Sequence, residues 1–108
     1  MYLGKIQDEV KEWTDRNFPY GEWWQSLLGV GEEVGELNHA LLKQHQGIRA
    51  LDEDLEDEAR DAVGDIVIYL MDLCNRRGWD LEKIIALTWD LDKARDWKNN
   101  PITAGEDE

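Results

Sequence analysis

Apolar residues recur at the spacing of an α-helix along most of this chain. These helical stretches are separated by residues that favour turns. The segment 17–22, NFPYGE, brings proline and glycine together, which predicts that a first helix ends near Asn17. Within that first stretch the apolar residues follow one another at helical intervals, at Leu3, Ile6, Val10 and Trp13.

Two longer helices are predicted by the same reasoning. One extends from about Trp23 to Gln46, where Gly47 is a typical stop signal. The other extends from about residue 53 to residue 76 and is followed by Gly78, the residue type that most often ends a helix. We expect the core stripe of the former helix to consist of Val30, Val34, Leu37 and Leu41.

A fourth helix is predicted to begin after the N-cap residue Asp80 and to continue to about Trp97. The one strand-like run, IVIY at 66–69, lies inside a longer helical pattern, so we expect an all-α, four-helix, bundle-like subunit. Residues 1–98 would form its one domain and residues 99–108 a flexible polar tail. The inner side of the fourth helix is expected to carry Leu81, Ile84, Ile85, Thr88 and Leu91.

The charge of the chain excludes several classes of partner. It has 25 acidic and 12 basic residues, a net charge of −13, which argues against binding to nucleic acid or to an anionic membrane. No apolar run approaches the roughly 20 residues that span a bilayer. The single cysteine, Cys74, lies in an apolar stretch and is expected to be a buried small hydrophobe. We therefore expect a cytoplasmic protein.

Carboxylates are concentrated in the second and third predicted helices, beside apolar residues. Like charges three or four positions apart destabilise a helix by about 0.2 to 0.5 kcal/mol per pair, and Arg60 is the one basic residue interleaved with them. An ordinary solvated face is the commoner arrangement for any single carboxylate. Together, however, they predict a positive group between the helices. The two groups are Glu32, Glu33 and Glu36, and Asp57, Glu58, Asp61 and Asp65.

Helical geometry indicates which carboxylates face the partner helix. At about 100° per residue, Glu33 and Glu36 lie about 60° apart and border the apolar stripe, whereas Glu32 falls nearer the solvent. Oxygen ligands from two facing helices suit Mg²⁺ or Mn²⁺. Interior glycines cost about 0.5 to 1 kcal/mol each relative to alanine. We expect close approach of a helix or ligand at Gly29, Gly31, Gly35 and Gly64.

A competing metal site must be weighed in the second helix. Glu36 and His39 form a Glu-x-x-His sequence, which is the motif of di-iron carboxylate bundles. Those bundles need the motif on two helices, but the third helix has no histidine and His45 is not part of such a motif. The sequence therefore disfavours a di-iron centre.

The acidic motifs resemble those of a known family. The run Glu32-Glu33-Val34-Gly35-Glu36 followed by Glu58-Ala59-Arg60-Asp61 is similar to the paired motifs of the MazG-like all-α nucleoside triphosphate pyrophosphohydrolases, and the resemblance extends from about Trp23 to Trp97. The segments HALLKQHQGIR and DAVGDIVIYL are similar to those of its small single-domain members. In many members the second motif ends at the aspartate before the long apolar run. Both registers, Glu58/Asp61 and Asp61/Asp65, therefore stay open.

This resemblance implies a Mg²⁺-dependent hydrolase, with Mn²⁺ as a substitute, that cleaves a ribo- or deoxyribonucleoside triphosphate to the monophosphate and pyrophosphate. Its expected role is cleansing of the nucleotide pool. The implied metal ligands are Glu33, Glu36, Asp61 and Asp65, with Glu58 as a further ligand. Glu32 would support these ligands or orient the attacking water, and the catalytic set would be Glu32, Glu33, Glu36 and Asp61.

Substrate contacts and assembly are the remaining expectations. Lys43, Arg49, Lys93 and Arg95 could bind phosphate and Trp23 could stack on a base, although each has an ordinary surface or core alternative. Four short helices with six tryptophans would bury their aromatic surface better as a homodimer or homotetramer. The alternative function, from a different class, is a non-catalytic acidic helical module that binds a partner protein.

Overall fold

The computed structural model describes residues 2–47 and 52–99, and this part of the chain contains four α-helices and no strand. The predicted all-α class is therefore confirmed. None of the described helices combines the length and the apolar character needed to cross a membrane. The helices are α1 (Tyr2–Asn17), α2 (Trp23–Gln46), α3 (Asp52–Arg77) and α4 (Leu81–Lys93).

Glycines end the two long helices, as predicted. At the end of α2, Gly47 has φ 66° and its N–H donates to the carbonyl oxygen of Lys43 at 2.9 Å. At the end of α3, Gly78 has φ 72°. The N–H of Trp79 donates to the carbonyl oxygen of Cys74 at 2.8 Å, which closes the last turn of α3 as a Schellman motif. Positive φ is why glycine suits both positions.

The fourth helix begins as predicted but ends at Lys93, so the prediction that it continues to Trp97 is wrong. Its first turn is capped by Asp80, whose side chain accepts a hydrogen bond from a backbone N–H at 3.1 Å. Beyond its end, Asp96 accepts hydrogen bonds from the backbone and side chain of Asn99 at 3.2 and 3.0 Å. Such local bonds compete with helix formation. Residues 100–108 of the predicted tail lie outside the described residues.

Helices α2 and α3 form the most extensive helix contact and run antiparallel. The start of α2 lies beside the end of α3, where the Ser26 hydroxyl donates to the Asp72 carboxylate. At the other end, the Gln44 side chain donates to the carbonyl oxygen of Asp52 at 3.1 Å. This pairing sets the acidic stretches of the two helices side by side.

Three small residues and Glu33 form the buried face of α2, which differs from the predicted stripe. Val34 and Leu41 are 40% and 47% exposed, so their assignment to the core is wrong, whereas Val30 and Leu37 are half-buried. Small side chains let the backbones approach closely, and the larger apolar side chains are left on the outer face. The buried residues of α2 are Ser26, Gly29, Glu33 and Ala40.

The apolar core lies where α1, α3 and α4 meet, around Val10, Met71, Cys74 and Leu81. Burial of Cys74 confirms its predicted role as a small hydrophobe. The Gln7 side chain ties the three helices together, since it donates to the Asn75 side chain and to the Trp79 carbonyl oxygen, both at 2.9 Å, and accepts from the Leu81 N–H at 3.0 Å. This cluster anchors the first turn of α4 to the rest of the chain.

The remainder of α4 is exposed, and its predicted inner side is wrong beyond Leu81. Ile84, Ile85 and Leu91 are 39%, 47% and 72% exposed, because α4 packs on α1 and α3 through its beginning only. The radius of gyration is 17.4 Å. A compact domain of about 100 residues has a radius of gyration of about 13 Å. The chain is therefore open rather than globular.

Candidate active site between α2 and α3

A cavity of about 600 Å³ opens between α2 and α3, on the side that carries the carboxylates. Both predicted acidic groups contribute to its wall, because the antiparallel pairing brings the middle of α2 next to the first half of α3. Asp57 is not part of the lining. The lining residues are Glu32, Gly35, Glu36 and His39 of α2 and Glu58 and Asp61 of α3.

The carboxyl group of Glu33 is buried against this cluster. Glu33 is 8% exposed, and its Oε2 atom has no hydrogen-bond partner among the described residues. The pKa of Glu33 is raised from 4.5 to about 7, first by burial and then by hydrogen bonding and negative charge from the neighbouring carboxyl groups of Glu36 and Asp65. A charged Glu33 is therefore costly in this chain unless a cation lies beside it.

The residues of the two registers of the second acidic motif differ in burial. Asp65 is half-buried and acts on Glu33 from within the helix pair. Glu58 and Asp61 are exposed and line the cavity. Glu58 and Asp61 therefore belong to the cavity wall, whereas Asp65 does not line the cavity and lies beside Glu33.

Tyr69 lies near the carboxyl groups of Glu32 and Glu33 but does not line the cavity. Its ring lies against the backbone of Gly29, where an added Cβ would overlap the ring, so the expected close approach is confirmed at this glycine. Burial, followed by the charges of Glu32 and Glu33, raises the pKa of the Tyr69 hydroxyl, which stays protonated at neutral pH. Among the described residues, nothing lies within 4 Å of a Cβ placed at Gly31, Gly35 or Gly64, so no close approach within that part of the chain explains those glycines.

The donor chemistry of the site fits a hard divalent cation. Carboxylate oxygens are the ligands that Mg²⁺ and Mn²⁺ prefer, and the unpartnered oxygen of Glu33 is a ready donor. Among residues 2–47 and 52–99, however, no three acidic, histidine or cysteine side chains are already arranged to hold a metal ion. Ion binding would therefore require rotation of exposed side chains, such as those of Glu36 and Asp61 on the cavity wall.

The four predicted substrate-binding residues that the structure describes do not line the cavity. Lys93 lies near the end of α4, a helix that packs on α1 and α3, and pairs with Asp90 at 3.0 Å. The Arg95 guanidinium lies over the Trp97 ring, 4.4 Å from its centroid. Arg49 falls outside the described residues. The other two are Lys43, whose ammonium group donates to Gln46 at 2.9 Å, and Trp23, which stacks with Arg77.

His39 is the cavity residue that sequence reasoning missed. The signal was present, because His39 lies three positions after Glu36 and so shares its helix face. Because a di-iron centre requires the Glu-x-x-His motif on two helices, the sequence does not place His39 among the predicted ligands. The structure instead places one histidine among carboxylates from both α2 and α3.

Taken together, the lining is acidic, so a free polyphosphate would be repelled from this cavity. A bound divalent cation would reverse that repulsion, because it coordinates carboxylate and phosphate oxygens at once. Comparisons with protein-family models, with curated proteins and with solved structures found no match to this chain.

Proposed function

We propose that this protein is a Mg²⁺-dependent nucleoside triphosphate pyrophosphohydrolase of the MazG-like type, which cleaves a ribo- or deoxyribonucleoside triphosphate to the monophosphate and pyrophosphate. The observation that carries the proposal is the buried carboxyl group of Glu33, which has an unpartnered oxygen and lies against Glu36 and Asp65. A divalent cation would stabilise the charged form of such a group, and a cavity of about 600 Å³, lined by its neighbour Glu36, lies between the same two helices.

In this proposal Glu33, Glu36, Asp61 and Asp65 hold Mg²⁺, and Glu58 adds a fifth carboxylate. A bound divalent ion neutralises the phosphate oxygens and polarises the phosphorus under attack. Glu32 orients a water molecule and accepts its proton as the water oxygen bonds to phosphorus. The anhydride bond between the α and β phosphates breaks at the same time, which releases the monophosphate and pyrophosphate.

The substrate contacts follow from charge and from placement. Lys43, Arg49, Lys93 and Arg95 would bind phosphate oxygens and Trp23 would stack on the base. Since the four of them that are described lie outside the cavity wall, they would reach a substrate after a movement of the chain or from a second copy. A role in cleansing the cytoplasmic nucleotide pool would follow from this chemistry.

Assembly as a homodimer or homotetramer is part of the proposal. The support is the apolar surface that the described chain leaves open, together with its radius of gyration of 17.4 Å. Large contiguous apolar surface typically marks an interface. On α2 and α4 this surface includes Trp23, Trp24, Leu27, Leu28, Leu42, Ile85, Leu87, Trp89 and Leu91.

The test of the activity is pyrophosphate release from each standard nucleoside triphosphate with Mg²⁺. We expect Glu36→Gln to lower kcat at least about a hundredfold, because it removes a charged metal ligand at constant size. The matched control is Glu53→Gln, which makes the same change at an exposed site in the first turn of α3. Hydrolysis that is unchanged in Glu36→Gln would contradict the assignment of this cavity.

A binding measurement separates the enzyme from the alternative function. Mg²⁺ and a non-hydrolysable triphosphate analogue should raise the Tm of the wild type, because they bind the folded state only. If the wild-type protein hydrolyses no nucleotide with any divalent metal, the enzyme proposal fails. The acidic helical module that binds a partner protein is then the better account.

A further inference from the structure

We propose that two copies of this chain associate through the outer face of α2, with the two α2 helices antiparallel about a two-fold axis that passes between Val34 and Gly35. This pairing rests on the assembly that is part of the proposed function, and it adds the face and the geometry of one interface. Among the described helices, α2 contacts α3 alone, so the opposite face of α2 is uncovered.

The uncovered face is a stripe of six large apolar side chains, each between 40% and 66% exposed. At about 100° per residue, the stripe is centred about 150° around the helix from the buried residues of α2, which face α3. Contiguous exposed apolar surface typically marks an interface. The six residues are Trp24, Leu27, Leu28, Val34, Leu41 and Leu42.

Charge indicates which partner fits this stripe. The net charge of the chain is −13, so two copies repel each other unless they meet through surface that carries no charge. The stripe is such a surface, because the three glutamates of α2 and Lys43 all fall on other sides of the helix. A basic partner, in contrast, would be drawn to the carboxylates. The stripe therefore suits a second copy of this chain.

The order of side chains along the stripe is also complementary to itself. Large residues occupy both ends, while Gly31, Val34, Gly35 and Asn38 occupy the middle. A closed two-fold pair uses the same patch on both subunits, so an antiparallel arrangement brings large ends together and smaller centres together. The facing pairs are Leu27 with Leu41, Leu28 with Leu42, and Val34 and Gly35 each with its own counterpart.

The area of the stripe is of the size that a stable pair needs. Covering the exposed parts of its six large side chains removes on the order of 500 Å² from each copy, more than half of the roughly 800 Å² that each partner contributes to a stable complex. The exposed apolar surface of α4 stays available for a further contact in a tetramer.

Gly35 connects this interface with the cavity between α2 and α3. It lines that cavity, and among the described residues nothing lies within 4 Å of a Cβ placed on it. Close approach of Gly35 from the second copy accounts for a glycine here. The second copy would then border the cavity at this residue.

The experiment is disulfide trapping in the full chain under mild oxidation, read on non-reducing gels. Cys74→Ala removes the native thiol from every variant. We expect Val34→Cys to form disulfide-linked dimers, because each Val34 lies beside its counterpart at the two-fold axis. The double variant Leu28→Cys, Leu42→Cys should do the same, because each cysteine faces the other position in the second copy.

The two single variants determine the direction of the pair. In the antiparallel arrangement, a residue at position 28 or 42 lies about 20 Å along the helix from its own counterpart. A disulfide needs Cα atoms within about 7 Å, so each single variant should form at least about fivefold less dimer than the double variant. Glu53→Cys, at an exposed site in the first turn of α3, is the control for random collision and should remain monomeric on the gel. Circular dichroism verifies that every variant keeps its helices.

Two results would overturn the pairing while leaving the proposed function standing. One is efficient trapping of the single variants, which indicates parallel helices. The other is absence of trapping in Val34→Cys although light scattering shows an oligomer, which indicates another face. A monomeric wild type would overturn both the pairing and the proposed assembly, and would leave the stripe to a different partner. Pyrophosphate release by the wild type tests the catalytic part of the proposed function independently of these results.

Discussion

At the scale of single residues, Glu33 determines the electrostatics of the site. The sequence places a glutamate on the inner face of α2, and the fold then buries it beside Glu36 and Asp65 with one oxygen unpartnered. The free-energy cost of a charged, buried Glu33 is what links the acidic motif to a cation. The same cost makes the stability of the metal-free protein depend on pH.

The first prediction concerns that dependence on pH. The pKa of Glu33 is raised from 4.5 to about 7, so the folded state holds a proton that the unfolded state has already lost between these values. The contribution of Glu33 to stability therefore falls as pH rises through this window. Glu33→Gln should remove that fall and should be more stable than the wild type at pH 8 in the absence of metal. Urea unfolding at a series of pH values measures both the fall in stability of the wild type and the stability of Glu33→Gln.

The control for this prediction is Glu53→Gln, whose stability should follow the wild-type pH profile. Parallel profiles for the wild type and Glu33→Gln would mean that Glu33 does not titrate in this window. A chelator should be present throughout, because a bound cation would stabilise the charged form and reduce the slope.

The glycines of α2 provide a second prediction at this scale. Gly29→Ala places a Cβ inside the Tyr69 ring, so either the ring or the helix pair must shift. We expect a loss of about 1 to 3 kcal/mol, the usual cost of overpacking. Gly31→Ala meets nothing within 4 Å and should instead stabilise the helix by about 0.5 to 1 kcal/mol. Denaturant unfolding compares them, and equal effects of the two changes would contradict the close contact of Gly29 with Tyr69.

At the scale of elements, the turn from α1 to α2 is held by one arginine of α3. The Arg76 guanidinium pairs with Asp72 at 3.0 Å and donates to the carbonyl oxygen of Gly21 at 2.6 Å. Asp72 in turn accepts from Ser26 at the start of α2. This network joins the ends of three elements, and its side chains are largely buried.

The third prediction tests that network with two arginines of the same helix. Arg76→Met should destabilise the protein by about 1.5 to 3 kcal/mol, because Asp72 loses a charged partner in a site where the two side chains are 18% and 14% exposed. Arg60→Met removes an exposed i,i+4 pair with Glu56, at 76% and 49% exposure, and should cost less than about 0.5 kcal/mol. Unfolding of the two variants in urea measures the difference. Similar losses would show that burial does not set the strength of these pairs.

At the scale of the whole molecule, the chain buries little of its apolar surface. Among the described residues, the largest side chain that is fully buried is that of Met71, while Leu87, Trp89 and Leu91 of α4 are 67%, 59% and 72% exposed. Helix α4 is anchored by its first turn and makes no contact with α2. A second copy that covers this surface would account for the open shape.

The fourth prediction follows from that surface. Light scattering after gel filtration should give the wild type a mass of two or four times the 12.6 kDa chain. The double change Leu87→Gln and Leu91→Gln should shift it toward the monomer, because both side chains lie on the exposed face of α4. Tyr20→Gln, a change at the 93% exposed residue of the α1 to α2 turn, is the control and should leave the mass unchanged. A monomeric wild type at about 50 µM would contradict self-association.

Local signals account for the parts of the fold that could be predicted. Gly47 and Gly78 end their helices because only glycine adopts positive φ without strain, and Asp80 caps α4 through its own side chain. The predicted end of α4 at Trp97 is wrong because the Asp96 side chain competes with the helix for nearby backbone groups. The core assignment is wrong for Val34, Leu41 and Ile85. Helical periodicity identifies the apolar face of a helix but not the element that packs against it.

The sequence by itself therefore determined the helices, their caps and the presence of two acidic motifs, since these depend on residues a few positions apart. Only the tertiary structure decided that Glu33 is buried, that Asp65 lies beside it and that His39 shares a cavity with Glu58 and Asp61. Those relations depend on the antiparallel register of α2 against α3. That register follows from the packing of small residues such as Gly29 against Tyr69, a contact between positions far apart in the sequence that no local pattern encodes.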